Sequence, residues 1–167
     1  LAGSVLPWAQ CDAAPLPLGA TPAEAAVDAN QLRVALREAG LATRGVAVRL
    51  LPADRYNAGI AAVRNKASLT FELISQHLAA LWTRHGHRHP FVAIDRQSGR
   101  RHHRELLMQL FPGASLQELA EDETRSAYRL KEGPLRMTVH FATAADRDHF
   151  ATALASMAAK YAREMVM

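Results

Sequence analysis

The chain reads as an α/β protein with a mixed central sheet flanked by helices, and three observations predict it. Apolar residues recur at three- and four-residue steps near 65–84 and 151–167, the spacing of amphipathic helices. Pro90-Phe-Val-Ala-Ile-Asp95 is a compact apolar run of strand length that ends on an acid. Between about Ser115 and Ala142 the period changes to two, with Glu132-Gly133 as a turn. Helices that alternate with strands, followed by consecutive strands, predict a sheet with an antiparallel portion.

Composition bounds the classes open to it. At 167 residues the chain is one domain, or part of one, large enough to bury a core. Hydrophobic residues at 49% and charged ones at 22% suggest neither a disordered nor a membrane class. A net charge of +4 makes polyanions admissible partners without requiring them. The one cysteine, Cys11, rules out an internal disulfide and any multi-cysteine metal site, and fits a reducing cytoplasm. No apolar run approaches the roughly twenty residues that span a bilayer. Leu1-Ala-Gly-Ser-Val-Leu-Pro-Trp8 has neither an initiator Met nor a basic leader, so it reads as a chain cut from something longer rather than a signal peptide.

Taken in order, residues 1–22 carry Pro7, Pro15, Pro17 and Pro22 among small residues, which predicts an extended connector before a domain over 23–167. Thr21-Pro22 places a capping hydroxyl before a proline, opening a helix from about Ala23 to Ala39 that Gly40 closes. Val46–Leu51 is a short β-rich run, and Asp54–Val63 a short helix or turn. Asn65 leads into a helix through about Arg84 with Leu69, Leu73, Leu78 and Leu81 as its buried stripe. Pro90–Asp95 predicts an interior strand, and His103–Leu110 a helix stopped by Phe111-Pro112-Gly113. Strands follow at Leu116–Leu119, Ser126–Leu130 and Leu135–Phe141. In the last helix Leu154, Met157 or Ala158, Tyr161 and Met165 form one apolar face, and Ser156, Lys160 and Glu164 a polar row on another.

Ligands bind at the carboxyl edge of α/β sheets, which makes Asp95 a candidate site residue. Its plainer alternatives are a helix cap or a partner for Arg96 or Arg100. A last helix packed across the sheet would bring Glu164 to it, and paired carboxylates hold Mg²⁺ or Mn²⁺ for phosphodiester hydrolysis. The plainer reading of Ser156, Lys160 and Glu164 is a solvated stripe, with Lys160 and Glu164 pairing along the helix. The histidines at 85, 87, 89, 102 and 103 match no helical metal clamp and read as solvated basic segments. Lys66, Arg96, Arg100, Arg101, Arg104, Lys160 and Arg163 are basic candidates for phosphate contact, or the wet start of a helix at 100–104.

The stretch Ala153-Leu-Ala-Ser-Met-Ala-Ala-Lys160-Tyr-Ala-Arg163-Glu164 resembles the closing motif of the type 2 ribonuclease H family, an Ala-Ser-x-x-Ala-Lys-x-x-Arg helix that ends on an acidic metal ligand. Asp95 resembles that family's acid on a central strand. More closely, the chain is similar to a divergent bacterial branch of it, through Leu-Pro-Trp8, Tyr56-Asn57, Asn65-Lys66-Ala, Asp95–Arg100, Phe111-Pro112 and Glu123–Arg129. The resemblance implies a ribonuclease H-like fold, incomplete at its N-terminus, because the family's first strand with its Asp-Glu pair and glycine-rich turn has no counterpart here. Glu164 stands where an Asp is commoner, His103 where this branch more often has Tyr, and Ser98 where it has Gly.

What the resemblance implies is a metal-dependent endonuclease that hydrolyses the RNA strand of RNA–DNA hybrids. Asp95 and Glu164 would bind Mg²⁺ or Mn²⁺, and Asn65, Lys66, Arg100 and Lys160 the nucleic acid, while this chain alone would be inactive. The alternatives are a non-catalytic nucleic-acid-binding module on the same scaffold, and a protein-interaction domain.

Overall fold

In the computed structural model, which describes residues 19–63, 65–96 and 102–165, Thr21 and Pro22 open the first helix as the sequence predicts. Helix α1 is Pro22–Glu38. The Thr21 hydroxyl accepts from the Glu24 N–H at 3.3 Å, and the Glu24 carboxylate accepts from the Thr21 N–H at 2.7 Å, a reciprocal cap. That backbone bond, with the Thr21 hydroxyl, holds the Glu24 carboxyl below its usual range. Gly40, at φ +68°, supplies the left-handed residue that ends the turn. The expected connector lies, apart from residues 19–22, outside the described residues.

The β-rich run Val46–Leu51 is not a strand. Val46, Val48 and Leu50 are exposed, and no described strand pairs with them. Branched residues favour a strand only where a neighbouring strand accepts the ladder, so propensity alone did not suffice.

Helix α2 is Ala53–Val63, and α3 is Lys66–His85. Asn65 caps α3: its Oδ1 accepts from the N–H groups of Ala67 at 2.9 Å and Ser68 at 3.3 Å. We expect Asn65→Ala to cost about 1 kcal/mol and Asn65→Asp to restore it, measured as the shift in urea midpoint. The two helices approach closely at Gly59, where a Cβ would lie 3.0 Å from Leu69 Cδ1. Leu69, Phe71, Leu78 and Trp82 are the buried residues of α3; Leu73 and Leu81 of the expected stripe are half-buried.

Strands β1 (Phe91–Asp95), β2 (Ser115–Glu121), β3 (Arg125–Glu132) and β4 (Leu135–Ala142) form one sheet in the order β1-β4-β3-β2. β1 runs parallel to β4, and the other pairs are antiparallel. The β3–β4 hairpin closes through Gly133 at φ +54° and Pro134, Gly standing first as a II′ turn requires. The expectation of an interior β1 is corrected, because it is an edge strand of the described sheet. An apolar five-residue run has the same composition with neighbours on one side or two. Thr152 covers part of that edge, its hydroxyl donating to the Ala93 carbonyl at 3.2 Å.

Alternation sorts the sheet into two faces. Ser126, Tyr128 and Leu130 of β3 and Met137, Val139 and Phe141 of β4 are buried on the inner face. With Phe71, Leu78 and Trp82 of α3, all of these except the polar Ser126 make the apolar core. Leu107 of helix α4 (Arg104–Leu110) and Phe111 complete it. Trp82 and Phe111 pack ring to ring, centroids 5.1 Å apart. The outer face presents Arg125, Arg129 and Lys131 of β3 and Arg136, Thr138 and His140 of β4.

After β4 come a one-turn helix α5 (Ala145–Asp148) and then α6 (Phe150–Glu164). The chain divides into two units, Leu51–Leu154 and Leu1–Leu50 with Ala155–Met167, so α6 begins in one and ends in the other. The expected buried face of the last helix is corrected: α6 has no buried residue, with Met157 65% and Tyr161 54% exposed. A helical apolar period shows which residues share a face, not that something covers it. No helix among the described residues is long and apolar enough to cross a membrane.

Candidate functional site

Because β1 and β4 are parallel, their carboxyl ends lie at one end of the sheet, with the β2–β3 turn and the start of α4. Asp95 pairs in register with Ala142, which pairs with Arg125, while Glu121 pairs with Ser126. Chain segments far apart in sequence thus bring Asp95, Glu121, Asp122, Arg96, His102 and His103 to one edge.

Asp95 is exposed, and its Oδ1 accepts the Ala145 N–H at 3.1 Å. It therefore caps a helix, but α5, fifty residues on, rather than the helix that follows it. Ala144, between them, holds a left-handed backbone at φ +54°. A non-glycine residue there is strained and persists only when its surroundings hold it. The Asp95 bond and the Thr143 N–H to Thr124 carbonyl bond at 2.9 Å do so. Arg96 does not pair with Asp95; its guanidinium donates to the carbonyls of Asp122, at 3.4 Å, and Glu123.

Behind this edge runs a chain of polar contacts, buried at His103, Ser126 and Tyr128, half-buried at Glu121 and exposed at His102. The Tyr128 hydroxyl accepts the His103 N–H at 3.1 Å and donates to Glu121 Oε2. The other Glu121 oxygen takes His102 Nδ1, which carries the proton because an ionised carboxylate only accepts. His103 Nδ1 shares a hydrogen bond with the Ser126 hydroxyl at 3.1 Å, and its ring stacks on Phe141 at 3.7 Å with 2° between planes. The Tyr128 hydroxyl lowers the Glu121 carboxyl below its usual range, with His102 adding to the effect. Burial, and then Glu121, push the Tyr128 phenol up. His103 is 5% exposed, which corrects its reading as part of a solvated basic segment. Ser126 and Tyr128, two apart in a strand and hence on one face, were the signal that could have found the chain; their partners at 102, 103 and 121 could not be matched by spacing.

Asp122 closes the β2–β3 turn. Its Oδ1 accepts from Thr124 N at 2.8 Å, Thr124 Oγ1 at 2.7 Å and Arg125 N at 2.9 Å. The Thr124 bonds first, and those from Arg125 after them, hold its carboxyl far below the usual range.

The remaining expected site residues belong to other elements. Asn65 caps α3, and Lys66 is exposed in its first turn. Arg100 and Arg101 lie outside the described residues, as does Cys11. Glu164 and Lys160 are exposed late in α6, and Glu164 pairs with its neighbour Arg163 at 2.6 Å rather than with Lys160. Asp95 belongs to the unit Leu51–Leu154 and Glu164 to the other. Among the described residues no three His, Cys, Asp or Glu side chains are placed to hold a metal ion. The acids nearest Asp95 in register do not fit one: both oxygens of Glu121 and both of Asp122 are engaged by protein donors.

Comparison with protein-family models, with curated proteins and with solved structures returned no match.

Proposed function

We propose that these residues belong to a cytoplasmic, metal-dependent endonuclease of the ribonuclease H type that hydrolyses the RNA strand of RNA–DNA hybrids. The observation that supports this best is Asp95, an exposed carboxylate at the carboxyl end of a parallel strand, fixed by one backbone N–H beside a strained residue. In this reading Asp95 and Glu164 are ligands of Mg²⁺ or Mn²⁺. Two acids do not cage a pair of divalent ions, so the chain alone is inactive. Lys66, Arg100 and Lys160 contact phosphates, and Asn65, whose cap uses its oxygen, offers its amide N–H groups.

A second reading is a nucleic-acid-binding module without catalysis. It is favoured by the commitment of both Glu121 oxygens and both Asp122 oxygens to protein donors.

Hydrolysis of a labelled RNA–DNA hybrid by the full-length protein with Mg²⁺ or Mn²⁺ decides between them. Asp95→Asn keeps an acceptor for the Ala145 N–H, and Glu164→Gln alters an exposed residue, so both variants fold. Each should lower hydrolysis by at least about tenfold, the loss that even an outer partner of a metal ligand produces. Undiminished cleavage in both would sink the site; binding without cleavage by the wild type selects the second reading. No binding at low salt leaves a protein-interaction domain.

A further inference from the structure

The outer face of the sheet carries a pattern that the proposed endonuclease site does not use. The strand register arranges it in rows across the sheet. Arg136 faces Lys131; Phe91, Thr138, Arg129 and Gln117 make the next row; Ala93, His140, Ala127 and Ala120 the third. Rows are about 6.8 Å apart and strands about 4.8 Å apart. Arg129, Lys131 and Arg136 are exposed, and among the described residues none of the three meets a carboxylate. Arg129 donates instead to the neutral Gln117 side chain at 3.3 Å. Lys131 and Arg136 stand directly opposite each other, a like-charge pair that costs stability unless an anion joins it.

Beside these cations lies one exposed ring. Phe91 is 52% exposed and sits edge-on to His140, with centroids 4.5 Å apart, and near His149 at 5.5 Å. Of the third row, Ala127 is buried and Ala93, His140 and Ala120 are half-buried, so the exposed groups lie in the first two rows. Burial first, and then the neighbouring His149 and Arg125, lower the His140 imidazole from its ordinary value.

We propose that this outer face binds single-stranded nucleic acid, with phosphates on Arg129, Lys131 and Arg136 and a base stacked on Phe91. Fixed cations next to an exposed ring on a sheet face match a strand whose bases are unpaired, because stacking tolerates any base while cations follow the backbone. A duplex hides its base faces and presents phosphates only. An acidic peptide would answer the charge and leave the ring unused. The proposal rests on the sheet face alone and not on the endonuclease reading.

The test uses the 167-residue chain and a fluorescently labelled twelve-nucleotide single strand, with binding followed by anisotropy as salt rises. Wild type should bind at low salt, with affinity falling linearly on a log–log plot. The triple variant Arg129→Ala/Lys131→Ala/Arg136→Ala, all exposed positions, should fold and lower the salt slope by about 2, at about 0.7 for each phosphate that no longer meets a cation. Phe91→Ala should weaken binding about tenfold while leaving the slope unchanged, as removal of one stacking platform does. His140, followed by NMR titration, should gain a higher pKa in the complex. No binding at 50 mM salt (about the low end of useful ionic strength), an unchanged slope in the triple variant, or equal competition by a duplex or by polyglutamate would each overturn the proposal. Hybrid cleavage by the full-length protein is read separately, so the two readings fail independently.

Discussion

Phe141→Ala should destabilise the sheet unit by about 3–5 kcal/mol, the range for deleting a fully buried aromatic ring. Phe141 is 1% exposed on β4, between Ile94 of β1 and Ser126 of β3 in register, and its ring carries the stacked imidazole of His103. Truncation opens a cavity in the core and removes the platform that holds His103 toward Ser126. A destabilisation of that size is a large part of the roughly 5–15 kcal/mol that typically stabilises a domain, so the variant should be partly unfolded near body temperature. Phe141→Leu keeps much of the volume and removes only the stack; the difference between the two variants in urea unfolding isolates the cavity. A cost under about 1 kcal/mol for the alanine variant would show that the inner face is not packed as described.

The second large effect is expected at Tyr128, where Tyr128→Phe keeps the ring and removes one oxygen. That oxygen accepts the buried His103 N–H and donates to Glu121, so the variant strands a donor and should cost about 1–3 kcal/mol. The pH dependence gives a sharper signature. In the folded protein the Glu121 carboxyl lies below its ordinary value of 4.5, chiefly because Tyr128 donates to it. A carboxyl lowered by folding contributes stability above the unfolded value, and that contribution is lost as pH falls through the folded one. Removing the hydroxyl should therefore raise Glu121 toward 4.5 and shrink the stability lost between pH 4.5 and the acid limb. On the alkaline side, the Tyr128 phenol is raised above 10, so wild type should lose stability as pH rises beyond 10 and the variant should lose less. Unfolding free energy measured from acid to alkaline pH checks both limbs. Parallel curves for the two proteins would show that the Tyr128–Glu121 bond does not form.

Local features were legible because their causes are local. Thr21-Pro22 and Asn65 announce helix starts through caps that span three residues, and both caps form. The two-residue period of 135–141 predicts which side chains are buried, and Met137, Val139 and Phe141 are. Glu132-Gly133 predicts the hairpin, and Gly133 adopts the left-handed backbone it needs. The errors share the opposite cause. Val46–Leu51 has the composition of a strand and no described partner; Met157 and Tyr161 share an apolar face that stays exposed. In each, the missing term is the neighbour, which no window of sequence contains. For the candidate site, Asp95 and its place at a strand end were readable, but not that Ala145 would take its oxygen.

The sequence by itself therefore determined where α1, α3, α4, α6 and the four strands of the sheet lie, the turn between β3 and β4, and the acid that ends β1, since caps, periods and turn residues act within a few positions. Only the tertiary structure decided that β1 is an edge strand parallel to β4, that His103 is buried against Phe141, and that Glu121 answers Tyr128 and His102. These depend on contacts between residues 7 to 50 positions apart, whose pairing is set by which faces the packed sheet can bury together.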